Sequence, residues 1–513
     1  MATTSGAGLG SYVAHPAPNV SDQHMLEHFP ATLALIGIVV LVSSLLSGWV
    51  ERTGLPQVAI FLGLGLVLGP FGLGLVDLTL RSLSLQVIST LALVLVLFSD
   101  AIGVDIGEAR RNRRLALFVL GPGTLLPALI ISTGAWLLLG LSIPAALILG
   151  AALASTDPVL LRSLVRRPEL PGDARIALRL ESGMNDVVLL PIVVLSILVL
   201  ELRAGMVATP AVGRRLLGLF VLGPVLGGFI GWAAIVLLEQ IRRRFGVRRD
   251  YESLYALGVA FTAYAAAEAV GGSGFLAAFA AGLMVASLDI ELCDCFFDYG
   301  EASAEMFLLL TFVAFGASLI WIGLTAVDGR TIAFAAFALL VRTAVLLPGL
   351  RHAGVSPASQ RLIAWFGPRG LSTLLLVLLA VFANVPSAER LFAIACLVVL
   401  LSVVVHGGGI ALLLRRRGAA AAVAARRAAL PVLDAGATEA PDGAAAERIT
   451  IPELRELWAS GEQAIIVDVR TDRTYRGDSL RARDSVRVPP DDAVRTARQL
   501  GLRQHGTLVL YCA

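Results

Sequence analysis

The sequence contains no lysine: all 41 basic residues among its 513 are arginine, set against 38 acidic ones for a formal net charge of +3. That bias carries no functional weight, because in a membrane chain the placement of arginine along the loops matters more than the sum. Charge of either sign is scarce, at 15% of residues, whereas 57% are hydrophobic, 51 residues are glycine and the mean hydropathy is +0.81. These proportions exclude an ordinary soluble globular chain and point to an all-α polytopic membrane protein in a lipid bilayer. Cysteine is sparse too. Cys293, Cys295, Cys396 and Cys512 show no zinc-type pairing, and Cys293-Asp294-Cys295 lacks a second ligand pair. Residues 1–30 hold no arginine, and the first long apolar run has no small-residue cleavage site. That argues against a removed signal peptide and makes Ala31 to Trp49 a retained first span behind an extracytoplasmic tail of residues 1–30.

Apolar runs of on the order of 20 residues, the length that crosses a bilayer, number about 13. They fall near 31–49, 56–76, 83–103, 115–139, 143–164, 176–200, 216–239, 253–271, 273–289, 304–325, 331–350, 360–383 and 390–413. Only Gly271-Gly272-Ser273-Gly274 separates the eighth from the ninth, so these two could instead form one interrupted helix. Arginine clusters at 110–114, 162–175, 242–249, 351–361 and 415–417 fall on alternate loops. Basic loops stay cytoplasmic, which places the N-terminus outside and the C-terminus inside a bacterial inner membrane. Arg203, Arg214 and Arg215 disagree, since that loop would lie outside.

Carboxylates at membrane depth are costly and are kept mainly where they bind or relay something. Two polar signatures interrupt the apolar spans: Ala154-Ser155-Thr156-Asp157-Pro158 in the fifth, and Glu181-Ser182-Gly183-Met184-Asn185-Asp186 in the sixth. A further interruption, Gly367-Pro368-Arg369-Gly370, falls in the twelfth span at a position equivalent to the break in the fifth, if spans one to six and eight to thirteen are repeats. Interrupted helices at corresponding places in two halves are the mark of an inverted-repeat transporter. The opposite charges at the two breaks make physical sense. Asp157 can neutralise positive helix N-termini exposed there, and Arg369 or Arg342 the negative C-terminal ends.

In the sixth span, Ser182 and Asp186 lie one helical turn apart, as do Glu181 and Asn185. Asp186 is the best candidate for the ion-binding carboxylate. Oxygen ligands suit a small hard cation, and partial desolvation lets protons compete with it. Ser182 Oγ and the carbonyl or hydroxyl of Thr156 could complete the oxygen shell, and Asn185 could brace Asp157 without adding a titrating charge. Glu181 is either a ligand or the partner of Arg175 or Arg179. Asp100 either lines the pathway or belongs to the acidic end it shares with Asp105 and Glu108. Glu268 is expected to pair with an arginine such as Arg342 or Arg369 in a structural role, and Arg342 to answer the carboxylate cluster.

Taken in order, Thr156-Asp157-Pro158, Asn185-Asp186, Glu268 with Gly271-Gly272-Ser273-Gly274-Phe275, Arg342, and Gly367-Pro368-Arg369-Gly370-Leu371-Ser372 resemble the motifs of monovalent cation/proton antiporters of the NhaP and NHE branch. The resemblance covers residues 31–415. It implies a homodimeric secondary transporter carrying Na+ first, or K+ or Li+, against H+, with no cofactor and no nucleic-acid partner. It also implies Asp186 as the shared cation and proton site, Ser182 and Thr156 as ligands, Asp157 and Asn185 as braces at the helix crossing, and Arg342 as a core counter-charge. The third span departs from the pattern, with Ser99-Asp100 where the family often has Glu. An Asn-Asp pair in place of Asp-Asp is associated in the family with electroneutral exchange.

Past Arg417 the composition shifts to an Ala-rich linker, residues 416–447, followed by a soluble α/β segment, 448–513. Ile449 to Leu454 reads as a strand entering a helix, and Ala464 to Arg470 and Leu508 to Ala513 read as strands. Val467-Asp468-Val469-Arg470, the Tyr475 to Asp478 region and the strand-terminal Cys512 resemble part of a rhodanese-like domain. That leaves a runner-up function, a membrane-anchored sulfurtransferase or thiol-linked sensor. One residue after Cys512, however, the loop that would cradle its thiolate is missing from the sequence.

Overall fold

The structure, a computed structural model, describes residues 57–76, 78–104, 107, 111–157, 171–245, 249–288, 294–352 and 355–409, with scattered residues of 37–45. In the C-terminal part it describes residues 454, 458, 464–470, 475, 481–482, 484–489, 493–501 and 507–511. The chain divides into two compact units, Met1–Ala425 and Arg426–Ala513.

The described residues of the first unit are helical wherever they are regular. Its helices begin with α1 (Gln57–Leu68), α2 (Leu83–Ile102), α3 (Arg113–Leu120), α4 (Pro122–Leu139), α5 (Ile143–Ala154) and α6 (Gly172–Arg203). Next, α7 (Val212–Leu217) passes through a π-helical stretch, Gly218–Leu222, into α8 (Gly223–Phe245), followed by α9 (Arg249–Ala269), α10 (Gly274–Ser287) and α11 (Asp294–Ala317). After a 3-10 stretch, Leu319–Ala326, come α12 (Gly329–His352), α13 (Pro357–Trp365), α14 (Leu371–Phe382) and α15 (Ala388–Ser402).

Among the described residues, six helical runs are long and apolar enough to cross a membrane, and seven if Ser303–Ala317 and Leu319–Ala326, bent by 51°, count as one. The shorter apolar helices include α5 and α14, each of 12 residues, which stop where the chain leaves the helix. The eighth and ninth expected spans are two separate helices: the chain turns at Gly271 (φ +76°), and Ser273 caps α10 by accepting the Leu276 amide. The second expected span is shorter than its apolar run. Gly69-Pro70 ends α1 at Leu68, because proline offers no amide to continue the ladder. Most of the first expected span, the tail before it and the Ala-rich linker lie outside the described residues.

Small residues let helices approach at backbone distance. A Cβ at Gly227 or Gly231 of α8 would run into the backbone of Ala277 or Ala281 of α10. The arginine loop that opposed the charge rule has a local answer: Arg215 Nη1 lies 2.9 Å from Glu201 Oε2, which offsets part of its charge.

In the second unit, strands β1 (Ile465–Asp468), β2 (Val486–Arg487) and β3 (Leu508–Tyr511) form a parallel sheet in the order β2-β1-β3, with α16 (Ala493–Gln499) between β2 and β3 in sequence. Parallel pairing suits the apolar run of β1, which lies at the centre of the sheet. At its end the Asp468 carboxylate accepts from Arg470 Nη2 at 2.7 Å and from the Tyr511 hydroxyl at 2.7 Å. The Arg470 guanidinium holds the Asp468 carboxyl down at about 2. Cys512 and all but Leu454 of the Ile449–Leu454 stretch lie outside the described residues.

Candidate cation site at the helix crossing

Two non-helical stretches meet, residues 155–157 after α5 and residues 366–370 between α13 and α14. α5 ends at Ala154 because Ser155 turns extended (φ −62°, ψ 138°), and the chain from α13 to α14 runs non-helical through Phe366 to Gly370. The Asp157 amide donates to the Pro368 carbonyl at 2.9 Å, and the Leu371 amide donates to Asp157 Oδ2 at 2.7 Å. Asp157 therefore sits on the N-terminus of α14, where freed amides and the helix dipole favour a negative charge.

The arginines serve the opposite ends. Arg369 Nη1 donates to the carbonyls of Ala154 (2.8 Å) and Ser155 (3.1 Å), at the C-terminal end of α5. Arg342, on α12, does the same for α13, with Nη1 at 2.5 Å from the Ile363 carbonyl and 2.9 Å from that of Ala364. Its other nitrogens form a two-pronged ion pair with Glu181 of α6, Nε to Oε1 at 2.8 Å and Nη2 to Oε2 at 2.6 Å. All four charged residues are buried, none more than 4% exposed.

Glycine makes this approach possible. A Cβ at Gly367 would strike the Arg342 side chain, and one at Gly370 would strike the Asp157 carboxylate. Gly370→Ala is therefore expected to displace Asp157 from α14 and lower stability by about 1–3 kcal/mol, the usual cost of overpacking. Thermal unfolding of the detergent-solubilised variant checks this, and a wild-type midpoint would show that the crossing accommodates the methyl group.

α6 supplies the second layer. Asp186 Oδ1 accepts a hydrogen bond from Ser155 Oγ at 2.6 Å, and Asn185 Nδ2 donates to Thr156 Oγ1 at 2.9 Å. Asp186, Asn185, Ser155 and Thr156 are all buried. Asn185 Oδ1 is buried without a hydrogen-bond partner, as is Arg369 Nη2. Buried polar atoms are nearly always satisfied; the Asn185 oxygen can accept from water or ligate a cation, whereas the Arg369 nitrogen can only donate, as to a water. The Asp186 carboxylate, two hydroxyls and an amide oxygen make a donor set of hard oxygens, chemistry that suits an alkali cation. No group of three or more His, Cys, Asp or Glu able to hold a metal ion occurs among the described residues.

Several expectations need correction. The Ser182 hydroxyl is not hydrogen-bonded to Asp186. Its Oγ donates to the Arg179 carbonyl of its own helix at 3.4 Å, a local bond that serine readily makes within a helix. Ser155 takes that place. The sequence shows Ser155 only as part of an interruption, because no spacing rule links the end of one helix to the middle of the next. Asn185 holds Thr156, not Asp157. Glu181 pairs with Arg342, not with Arg175 or Arg179, because α12 brings a buried guanidinium to it. Glu268 is exposed and accepts the Gly274 amide at 2.8 Å, so it caps α10 and pairs with neither Arg342 nor Arg369. Asp100 is half-buried in the last turn of α2, with its carbonyl facing Gly183 of α6.

Residues 38–416 match the family model for the transmembrane part of sodium/hydrogen exchangers. A K(+)/H(+) antiporter NhaP from Alkalimonas amylolytica is 26% identical over 381 residues, 73% of this chain and 65% of that protein. A Na(+)/H(+) antiporter NhaG from Bacillus atrophaeus is 27% identical over 330 residues, 61% of this chain and 60% of that protein. In each case the matched region is less than two thirds of the relative's length. The structure of the sodium proton antiporter MjNhaP1 from Methanocaldococcus jannaschii superposes with a TM-score of 0.58 at 20% identity, covering 74% of this chain and 98% of that one. The last likeness is one of fold.

Proposed function

Because the chain belongs to the sodium/hydrogen exchanger family, we propose that it is a secondary antiporter exchanging a monovalent cation for H+ across the membrane, with Asp186 holding the two in turn. Na+ is the first candidate. K+ and Li+ are the alternatives, K+ drawing on the relatives named as K(+)/H(+) antiporters. The observation that carries the reading is the buried Asp186 carboxylate, hydrogen-bonded to Ser155 at the non-helical end of α5, next in sequence to Asn185, which holds Thr156 of the same stretch. A passive scaffold would have little reason to keep such a group. The reading extends to about 13 spans in two inverted repeats that alternate access around the crossing. It further includes a homodimer in a bacterial inner membrane with the N-terminus outside. The C-terminal unit is assigned as a rhodanese-like appendage. Fluorescence dequenching in everted vesicles, with Na+, K+ and Li+ added in turn, tests the activity, and no response to any of them would sink it.

The charge count supports a one-for-one stoichiometry. Among the described residues at the crossing, three buried carboxylates, Asp157, Glu181 and Asp186, stand against two buried guanidiniums, Arg342 and Arg369, an excess of one negative charge within that set. One monovalent cation or one proton restores neutrality, so exchange is expected to be one for one and insensitive to voltage. A transport current on a solid-supported membrane that reverses with the cation gradient would contradict this.

The ligand assignment is tested by two serines. Ser155→Ala is expected to raise the cation KM on the order of tenfold, as loss of a contact to a charged group does. Ser182→Ala is expected to leave it near wild type, since Ser182 bonds only to its own helix. The reverse ranking in the same vesicle assay would return Ser182 to the shell and remove Ser155.

A further inference from the structure

His406 is 3% exposed and has no part in the exchange chemistry above. It lies in the π-helical segment Val403–Gly407 that continues α15, a kind of local widening that recurs at functional sites. Its Nδ1 is 3.1 Å from Ser402 Oγ, and Ser402 Oγ in turn accepts the Arg369 amide at 2.7 Å. Arg369 sits inside the second helix break, and it is Ser402 that satisfies its N–H there. On the other side, the imidazole ring packs against Trp365, the last residue of α13, with ring centroids 5.8 Å apart. His406 thus touches the chain just before the break directly, and the break itself through Ser402.

The contacts continue from there to the cation site. Arg369 Nη1 holds the Ser155 carbonyl at 3.1 Å, and Ser155 Oγ holds Asp186 at 2.6 Å. We propose that Ser402 and His406 are positioning residues for the cation site, fixing the Arg369 backbone and through it the end of α5 that presents Ser155 and Thr156 to Asp186. The kinetic consequence rests on the antiport reading, whereas the contact itself does not. The imidazole acts here as a rigid hydrogen-bonding group, not as a proton carrier. Asparagine places an oxygen or an amide nitrogen where Nδ1 stands and can take either role towards Ser402. Leucine fills the space and offers neither.

The experiment compares Ser402→Ala, His406→Leu and His406→Asn with wild type by two readouts: hydrogen–deuterium exchange of the 366–371 segment in detergent, and the cation KM in vesicles. Ser402→Ala and His406→Leu are expected to speed exchange in that segment and raise KM several-fold. His406→Asn should stay within about twofold on both. A Ser402→Ala/His406→Leu double variant should be no worse than Ser402→Ala, since members of one chain of contacts do not add. A merely structural loss would reduce the amount of folded transporter without moving KM. Unchanged deuterium exchange in both disruptive variants would overturn the proposal. So would a His406→Asn variant as impaired as His406→Leu, which would make the titrating ring itself the functional group. If wild type exchanges no alkali cation, the antiport reading fails, and the deuterium exchange at 366–371 still decides whether the pair positions the break.

Discussion

Asp186→Asn is expected to bring cation-driven proton flux down to the background of empty vesicles while the protein folds and inserts normally. The carboxamide keeps the volume of the carboxylate and still offers an oxygen to Ser155 Oγ, which donates to Asp186 Oδ1 in the wild type. What it removes is the charge, and with it the ability to hold either a cation or a dissociable proton. No neighbouring group replaces it: Glu181 is committed to Arg342, and Asp157 accepts the first amide of α14. Dequenching with Na+, K+ and Li+ in everted vesicles gives the activity, and thermal unfolding in detergent gives the fold. Undiminished flux in a correctly inserted Asp186→Asn protein would remove Asp186 from the mechanism and with it the charge count that predicts one-for-one exchange.

Arg342→Ala is expected to cost about 3–5 kcal/mol of stability, because it leaves the Glu181 carboxylate buried and uncompensated. It also orphans the carbonyls of Ile363 and Ala364, which Arg342 Nη1 holds. The double variant Glu181→Ala/Arg342→Ala should regain part of the loss, since no stranded charge remains, and the difference measures the coupling of the pair. Asp157→Ala should also unfold earlier than wild type, through loss of the carboxylate that caps α14. Asp186→Asn should not. The contrast separates charges that hold the crossing from the charge that works in it. Wild-type unfolding of Arg342→Ala and Asp157→Ala with flux lost would move both residues into the transport chemistry.

The helix breaks could be read in the sequence because Pro158, Gly367, Pro368 and Gly370 interrupt apolar runs, and a charge beside each break suggests what the freed backbone groups require. The Leu371 amide on Asp157 and the Ala154 carbonyl under Arg369 are contacts of that kind. For Glu268 the same logic points the wrong way. Intramembrane charge implies a buried partner in general, but here the chain turns at Gly271 and brings the Gly274 amide back to the Glu268 carboxylate, six residues away. Asp100 could be placed near the end of α2 from its sequence, but not relative to α6, whose Gly183 lies against its carbonyl.

Hydropathy, arginine placement and helix-breaking residues are local properties, expressed in windows no longer than one span. From them alone the sequence determined that this is a helical membrane protein with interrupted spans and carboxylates at depth. The selection of partners was left to tertiary packing. Ser155 reaches Asp186 across 31 residues, and Arg342 reaches Glu181 across 161. Helical spacing put Ser182 one turn from Asp186, yet its hydroxyl found a nearer acceptor in its own helix, and the end of α5 brought Ser155 to the carboxylate instead. A hydroxyl bonds to whichever acceptor lies within reach in the folded molecule, and only the packing of α5 against α6 decides which acceptor that is.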